Sequence, residues 1–316
     1  MGSDAHLILS GGPDHLLDDA QRRIVQLEQR WSRFLVDSEV SLLNRKAGEF
    51  VEVSADTIAL VRRAIDACWL SAGAFDPTVL GAVIRSGYDR SFEQLGPTAA
   101  AGHSLLGTGI EGITVQGSTV RLAAGTGFDP GGIGKGLAAD IVAAELMDGG
   151  AQGVCVNLGG DLRVMGDGPD GSSWTVALEH PWSARPVCML GIGDGAVATS
   201  TTLRRRWTTH GEPRHHLIDP RTGDVSDSGV HLAVVVAAEG WIAEALAKCV
   251  LLAGADHPFD AIGGTGAEAM AVDHVGRIQH TDGFLRFLGE SPLPSRVDPT
   301  ELSSAASGPP VAQDLR

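Results

Sequence analysis

The chain has 316 residues, 43% of them hydrophobic and 20% charged, a balance that excludes a disordered or membrane-embedded class. Its 39 acidic residues against 24 Lys and Arg give a formal net charge of -15, which argues against non-specific attraction to nucleic acid or anionic lipid. Cys68, Cys155, Cys188 and Cys249 lie far apart within apolar patterns and predict buried reduced thiols rather than a metal site.

Ala5 to Ser10 predicts a short strand, which Gly11-Gly12-Pro13-Asp14 turns into a helix. There Leu17, Ala20, Ile24, Leu27, Trp31 and Phe34 recur every three or four residues opposite Arg22, Arg23, Glu28 and Arg30. That spacing assigns Trp31 and Phe34 to core packing unless a ligand claims them. Asp37 to Asn44 reads as a polar junction. A second helix starts near Ser54, turns Ile58, Val61, Ile65 and Cys68 inward, and ends at Ser71-Ala72-Gly73. Next, Ala74-Phe75-Asp76-Pro77-Thr78 fixes a ring and a carboxylate ahead of a proline that forces extended backbone at Asp76. Such a turn serves equally as a pocket wall or a plain helix exit. Gly107 to Gly112 matches GxGxxG, but the pattern after it, Ile113 to Val115 and Val120 to Ala123, is a hairpin. A dinucleotide fingerprint needs a helix there.

Phe128-Asp129-Pro130-Gly131-Gly132-Ile133-Gly134-Lys135-Gly136 then leads into a helical pattern. Its glycines, the positive end of that helix and the Lys135 cation suit a phosphate cradle, while an ordinary glycine-rich turn explains the same residues. It is not a P-loop, because Gly136 replaces the required Ser or Thr and Asp129 the first glycine. Strands follow at Gly153 to Asn157, Trp174 to Glu179 and Val187 to Ile192, with a tight turn at Leu158-Gly159-Gly160-Asp161. Ala196 to Ser200 brings the hydroxyls of Thr199 and Ser200 to a strand end, and Arg204-Arg205-Arg206 reads as a solvated surface. Arg214 to Gly223 is the densest set of ionisable groups. In it His216 suits a base near neutral pH, with Asp219 close enough to influence it, or else a histidine held for stability. His231 to Ala238 predicts a buried strand and Trp241 to Leu252 a helix. On that helix Glu244 and Lys248 are neighbours on one face, the spacing of a surface ion pair. Ala269 to Val272 suggests the last strand.

These stretches, in this order, resemble the ApbE-type FAD:protein FMN transferases across roughly residues 1–288. The resemblance rests on Met1-Gly2-Ser3, Asp37 to Ser41 with Asn44, Gly73 to Val79, Asp129 to Gly136, Leu158 to Asp161, Ala198 to Ser200, His216 to Gly223 and Ala243 to Ala247. It implies an α+β fold of two interlaced lobes, with mixed or antiparallel sheets, flanking helices and FAD in the cleft between them. Residues 289–316, rich in Pro and small polar residues, would form a flexible tail.

The implied reaction moves the FMN half of FAD onto a threonine or serine hydroxyl of an acceptor flavoprotein and releases AMP. The alternative is a relative that binds or hydrolyses FAD without protein transfer. Carried over by position, Met1 and Phe34 would flank the flavin, and Ala74, Phe75, Asp76, Asp129, Lys135, Thr199, Ser200, Leu217 and Ile218 would contact FAD. His216 falls at the catalytic base, and Gly132, Glu244 and Lys248 fall at the position of Mg²⁺. Where the family usually has Asp and Thr as metal ligands, this chain has Glu244 and Lys248, and a charged ammonium cannot coordinate a metal. No apolar run is long enough to span a bilayer, and Met1 to His6 lacks the basic and apolar regions of a signal peptide. The expectation is therefore a cytoplasmic enzyme without stable membrane insertion.

Overall fold

The structure is a computed structural model describing residues 3–95, 109–209, 211–289 and 292–298. Met1, Gly107 and Thr108 lie outside the described residues. At the centre is a seven-stranded antiparallel sheet. Its spatial order is Ala5–Ser10, Gly153–Leu158, Asp161–Gly166, Gly195–Thr201, Val230–Ala237, Glu268–Asp273 and Ile278–His280. The helices are α1 (Leu16–Trp31), α2 (Glu39–Arg45), α3 (Ala55–Leu70), α4 (Leu80–Arg85), α5 (Gly134–Asp148) and α6 (Gly240–Ala253).

Strand periodicity sorts the core into two layers. Along Val230–Ala237, Ala233, Val235 and Ala237 join the helical side, while Leu232, Val234 and Val236 join the opposite side. Both faces are covered, so this strand reads in sequence as one apolar run. Ala196, Ala198, Ala269 and Ala271 also face the helices, and these short side chains let α6 settle close to the sheet. The second face is covered by the hairpin of Trp174–Leu178 with Cys188–Ile192 and by Phe284.

Helices α5 and α6 cross where two glycines meet. A Cβ on Gly136 would lie 2.2 Å from the Gly240 carbonyl oxygen, so neither position admits a side chain without moving a helix. Neither helix has a local N-cap side chain; instead each takes a carboxylate from the other. Asp140 of α5 accepts from the amides of Gly240 (2.6 Å) and Trp241 (3.0 Å), and Glu244 of α6 accepts from that of Gly136 (2.8 Å).

Several sequence expectations are corrected. The junction expected at Asp37 to Asn44 contains α2, because Ser38 caps the Ser41 amide at 3.0 Å and Val40 and Leu43 face the core. Helix α1 ends at Trp31, where Ser32 is extended, so Trp31 is buried but Phe34 leaves the helical face and is 37% exposed. Ala269 to Val272 is not the last strand, since Ile278–His280 pairs beyond it. Within the segment expected as a tail, residues 292–298 pack on the second face. Val297 is buried there, and its amide donates to the Gly276 carbonyl at 2.8 Å. All four cysteines are free thiols, with Cys155 half-buried and the others buried. Among the described residues no helix is long and apolar enough to cross a membrane.

Candidate functional site

One cleft gathers residues from distant parts of the chain. The segment after α1 contributes Arg33 and Phe34, and the exit of α3 contributes Ala74, Phe75 and Asp76. Asp129, Gly132 and Lys135 come from the glycine stretch, His216, Leu217 and Ile218 from a late turn, and Lys248 from α6. Of the sequence-assigned residues, Glu244 sits directly behind this wall, 1% exposed. Thr199 and Ser200 do not line it. Their strand runs on to Thr201, so they lie inside the sheet opposite Val234 and Ala233.

The glycine stretch is fixed before any ligand arrives. Asn44 clamps the Phe128 backbone, accepting from its amide at 2.7 Å and donating to its carbonyl at 2.9 Å. The Gly131 amide donates to Asp129 Oδ1 at 2.9 Å, and the Gly134 amide to the Pro130 carbonyl at 2.8 Å. A Cβ on Gly132 would lie 2.5 Å from the Phe75 ring and 3.1 Å from Lys248 Cδ, so glycine here makes room for both side chains. The Gly136 amide in the first turn of α5 is already taken by Glu244. Charge therefore reaches the cleft through the Lys135 side chain rather than through that amide.

Behind the cleft is a buried four-charge cluster. Lys135 Nζ pairs with Asp161 Oδ2 and lies 3.2 Å from Glu244 Oε1, and Lys248 Nζ lies 3.3 Å from the same Oε1. Burial raises the Glu244 carboxyl, but the two ammonium groups and the Gly136 amide outweigh it and hold the group below its ordinary range. Burial lowers Lys135 to about 8 against the pull of Glu244, and the nearby Lys248 and Arg205 cations add to the lowering. The surface ion pair expected from the Glu244 and Lys248 spacing is thus a buried one. The Glu244 oxygens are already engaged as acceptors: Oε1 faces two ammonium groups and Oε2 an amide. Among the described residues no group of three or more His, Cys, Asp or Glu side chains gathers in metal-holding geometry.

The two adjacent histidines have opposite surroundings. His215 is locked: Nδ1 accepts from the Leu217 amide at 3.3 Å, so Nε2 carries the proton it donates to the Ser226 carbonyl at 3.1 Å. His216 lines the cleft, and its Nδ1 is enclosed with no hydrogen-bond partner among the described residues. Burial holds its pKa well below 6.5, reinforced by the positive charges of Arg205 and Lys248, so the imidazole is neutral at neutral pH. Asp219 does not act on His216. Its carboxylate is turned to Arg221, which donates from Nη2 at 2.8 Å and Nε at 3.0 Å.

Three cleft residues escaped the sequence reading. The Arg33 guanidinium lies 4.1 Å from the Phe34 ring centroid and 4.6 Å from that of Tyr88, and Arg33 Nε is 3.6 Å from Asp129 Oδ1. Tyr88 carries the aromatic wall onward to Trp207, with centroids 5.4 Å apart. Arg205, read as part of a solvated triplet, lines the cleft with a left-handed backbone, φ 50°, and donates to Ser3 Oγ at 3.3 Å. The only signal for Tyr88 was its being the sole tyrosine of the chain. The two arginines carried no signal. An aromatic wall, buried cations and a neutral imidazole suit a planar, anionic ligand and removal of a proton beside it.

Comparison with known proteins agrees with this chemistry. The ApbE family model matches residues 1–271. The FAD:protein FMN transferase of Vibrio cholerae is 29% identical over 288 residues, covering 87% of this chain and 83% of that protein. The crystal structure of the ApbE protein from Thermotoga maritima superposes with a TM-score of 0.82 at 25% identity, covering 92% of this chain and 97% of that one. The flavin transferase ApbE from Vibrio cholerae superposes with a TM-score of 0.75 at 25% identity, covering 91% and 96%.

Proposed function

The chain belongs to the ApbE family, and we propose that it is an FAD:protein FMN transferase that flavinylates a threonine or serine hydroxyl of an acceptor protein. The observation that carries this reading is the pairing, in one cleft, of a neutral His216 with the Lys135 and Lys248 ammonium groups. FAD enters as donor substrate, its ring against the Phe34 and Tyr88 wall and its pyrophosphate towards the lysines. The acceptor oxygen attacks the phosphorus of the FMN half. As the new P–O bond forms, the bond to the bridging oxygen breaks, the hydroxyl proton passes to the His216 imidazole, and AMP leaves with the bridging oxygen. Fixing both partners in the cleft supplies a further part of the rate.

The resemblance also implies Mg²⁺, and the residues here do not fit that ion. Mg²⁺ needs near-octahedral oxygen ligands, whereas Glu244 is committed to two ammonium groups and an amide, and Asp161, the other buried carboxylate of the cluster, is paired with Lys135. No step of this mechanism passes through a metal.

The test is incubation with FAD and an acceptor domain proven with another transferase, followed by denaturing electrophoresis under ultraviolet light. A fluorescent acceptor band is expected. FMN and AMP release without a labelled band would replace transfer by hydrolysis.

A further inference from the structure

We propose that Lys248, beside Lys135, takes the place of a divalent cation, so that this protein binds the FAD pyrophosphate without metal. The inference rests on the reading of FAD as donor substrate and adds what neutralises its charge. Lys248 follows Glu244 by one helical turn, and its ammonium shares Glu244 Oε1 with Lys135, at 3.3 and 3.2 Å. Its stem lies along Gly132, where an added Cβ would come within 3.1 and 3.2 Å of Cδ and Cε. Glycine at 132 thus opens the path by which this ammonium reaches the cleft.

Charge balance points the same way. Glu244 and Asp161 offset the two lysines, which lets two ammonium groups stay buried together. An arriving pyrophosphate then meets cations already in position, with Arg205 on the same wall. A divalent ion would have to displace Lys248 from Glu244 and sit within a few ångströms of two like charges, and Asp161, the other carboxylate of the cluster, is itself paired with Lys135. Ammonium groups can bond the phosphate oxygens directly and neutralise the departing AMP, though they supply no coordination geometry.

The test compares FAD affinity, by flavin fluorescence quenching, in EDTA and in millimolar MgCl₂. The wild-type dissociation constant should agree within about twofold between the two, whereas Lys248→Met should weaken binding about tenfold or more in EDTA, the loss of one charge-assisted bond. Lys248→Thr removes one of the two ammonium groups at Glu244 Oε1 and offers a hydroxyl oxygen, so it should bind FAD about tenfold tighter with Mg²⁺ than in EDTA. Wild-type affinity that rises tenfold with Mg²⁺ would overturn the inference, as would Lys248→Met binding like wild type in EDTA. The wild-type comparison decides alone if a variant fails to fold. Metal-free FAD binding without a labelled acceptor would sink the transferase reading and leave this one standing; Mg²⁺-dependent binding with a labelled acceptor would do the reverse. Absence of FAD binding in both buffers would overturn both.

Discussion

At the crossing of α5 and α6 two carboxylates perform the same backbone task, Asp140 for α6 and Glu244 for α5, yet only one belongs to the cleft. Asp140 is enclosed by fixed partners. Beyond the two amides it meets Arg163 Nε at 3.5 Å, and Arg163 is itself held by the carbonyls of Val164 and Gly195 and by Asp194. Glu244 meets two lysines whose stems end in the cleft wall and whose ammonium groups can turn to a ligand. A buried carboxylate among immobile donors serves structure, and the same group among cations facing a cleft stores charge for function.

The sharpest test lies on the cleft side. His216→Asn should lower transfer by about 10²- to 10⁴-fold, the usual worth of a general base, with FAD affinity nearly unchanged. Since burial and the neighbouring cations keep His216 neutral well below 6.5, the wild-type transfer rate should show no loss as pH falls through 6.5. A rate that halves there would show the base titrating at its ordinary value, and unchanged transfer in His216→Asn would remove His216 as the base.

Next in size is Glu244→Gln. It keeps an acceptor for the Gly136 amide but removes the charge between two buried lysines, so it should cost about 3 kcal/mol in denaturant unfolding and weaken FAD binding. Asp140→Asn should cost only about 1 kcal/mol, in the range of a lost helix cap, and leave transfer unchanged. Equal losses of transfer in the two variants would erase the distinction between the caps.

The second loss also depends on pH. Burial raises the Asp140 carboxyl from 3.8 to about 6 against the pull of its amide donors and Arg163. A raised folded pKa adds stability that is full below the unfolded value and lost as pH rises through about 6. The advantage of wild type over Asp140→Asn should therefore be larger at pH 4 than at pH 7, read from urea midpoints at the two pH values.

Much of this molecule is local and so was legible. Helix α1 up to Trp31, the hairpin from Ile113 to Leu122, the Gly159-Gly160 turn and the helix start near Ser54 each express a preference of adjacent residues, and each appears where the pattern puts it. The motif order likewise brought Phe75, Asp129, Lys135, His216 and Lys248 to one cleft. Glu244 was misjudged by spacing alone, although the all-round apolar character of α6 is the sequence mark of a buried helix, on which a carboxylate needs buried partners. What only the tertiary structure decided is how distant charges are shared: that α5 and α6 cap each other across two glycines, that Arg33, Tyr88 and Arg205 join the wall, and that Asp219 turns away from His216. Burial and charge pairing depend on which elements pack together, and that is fixed by the fold as a whole rather than by any stretch of neighbouring residues.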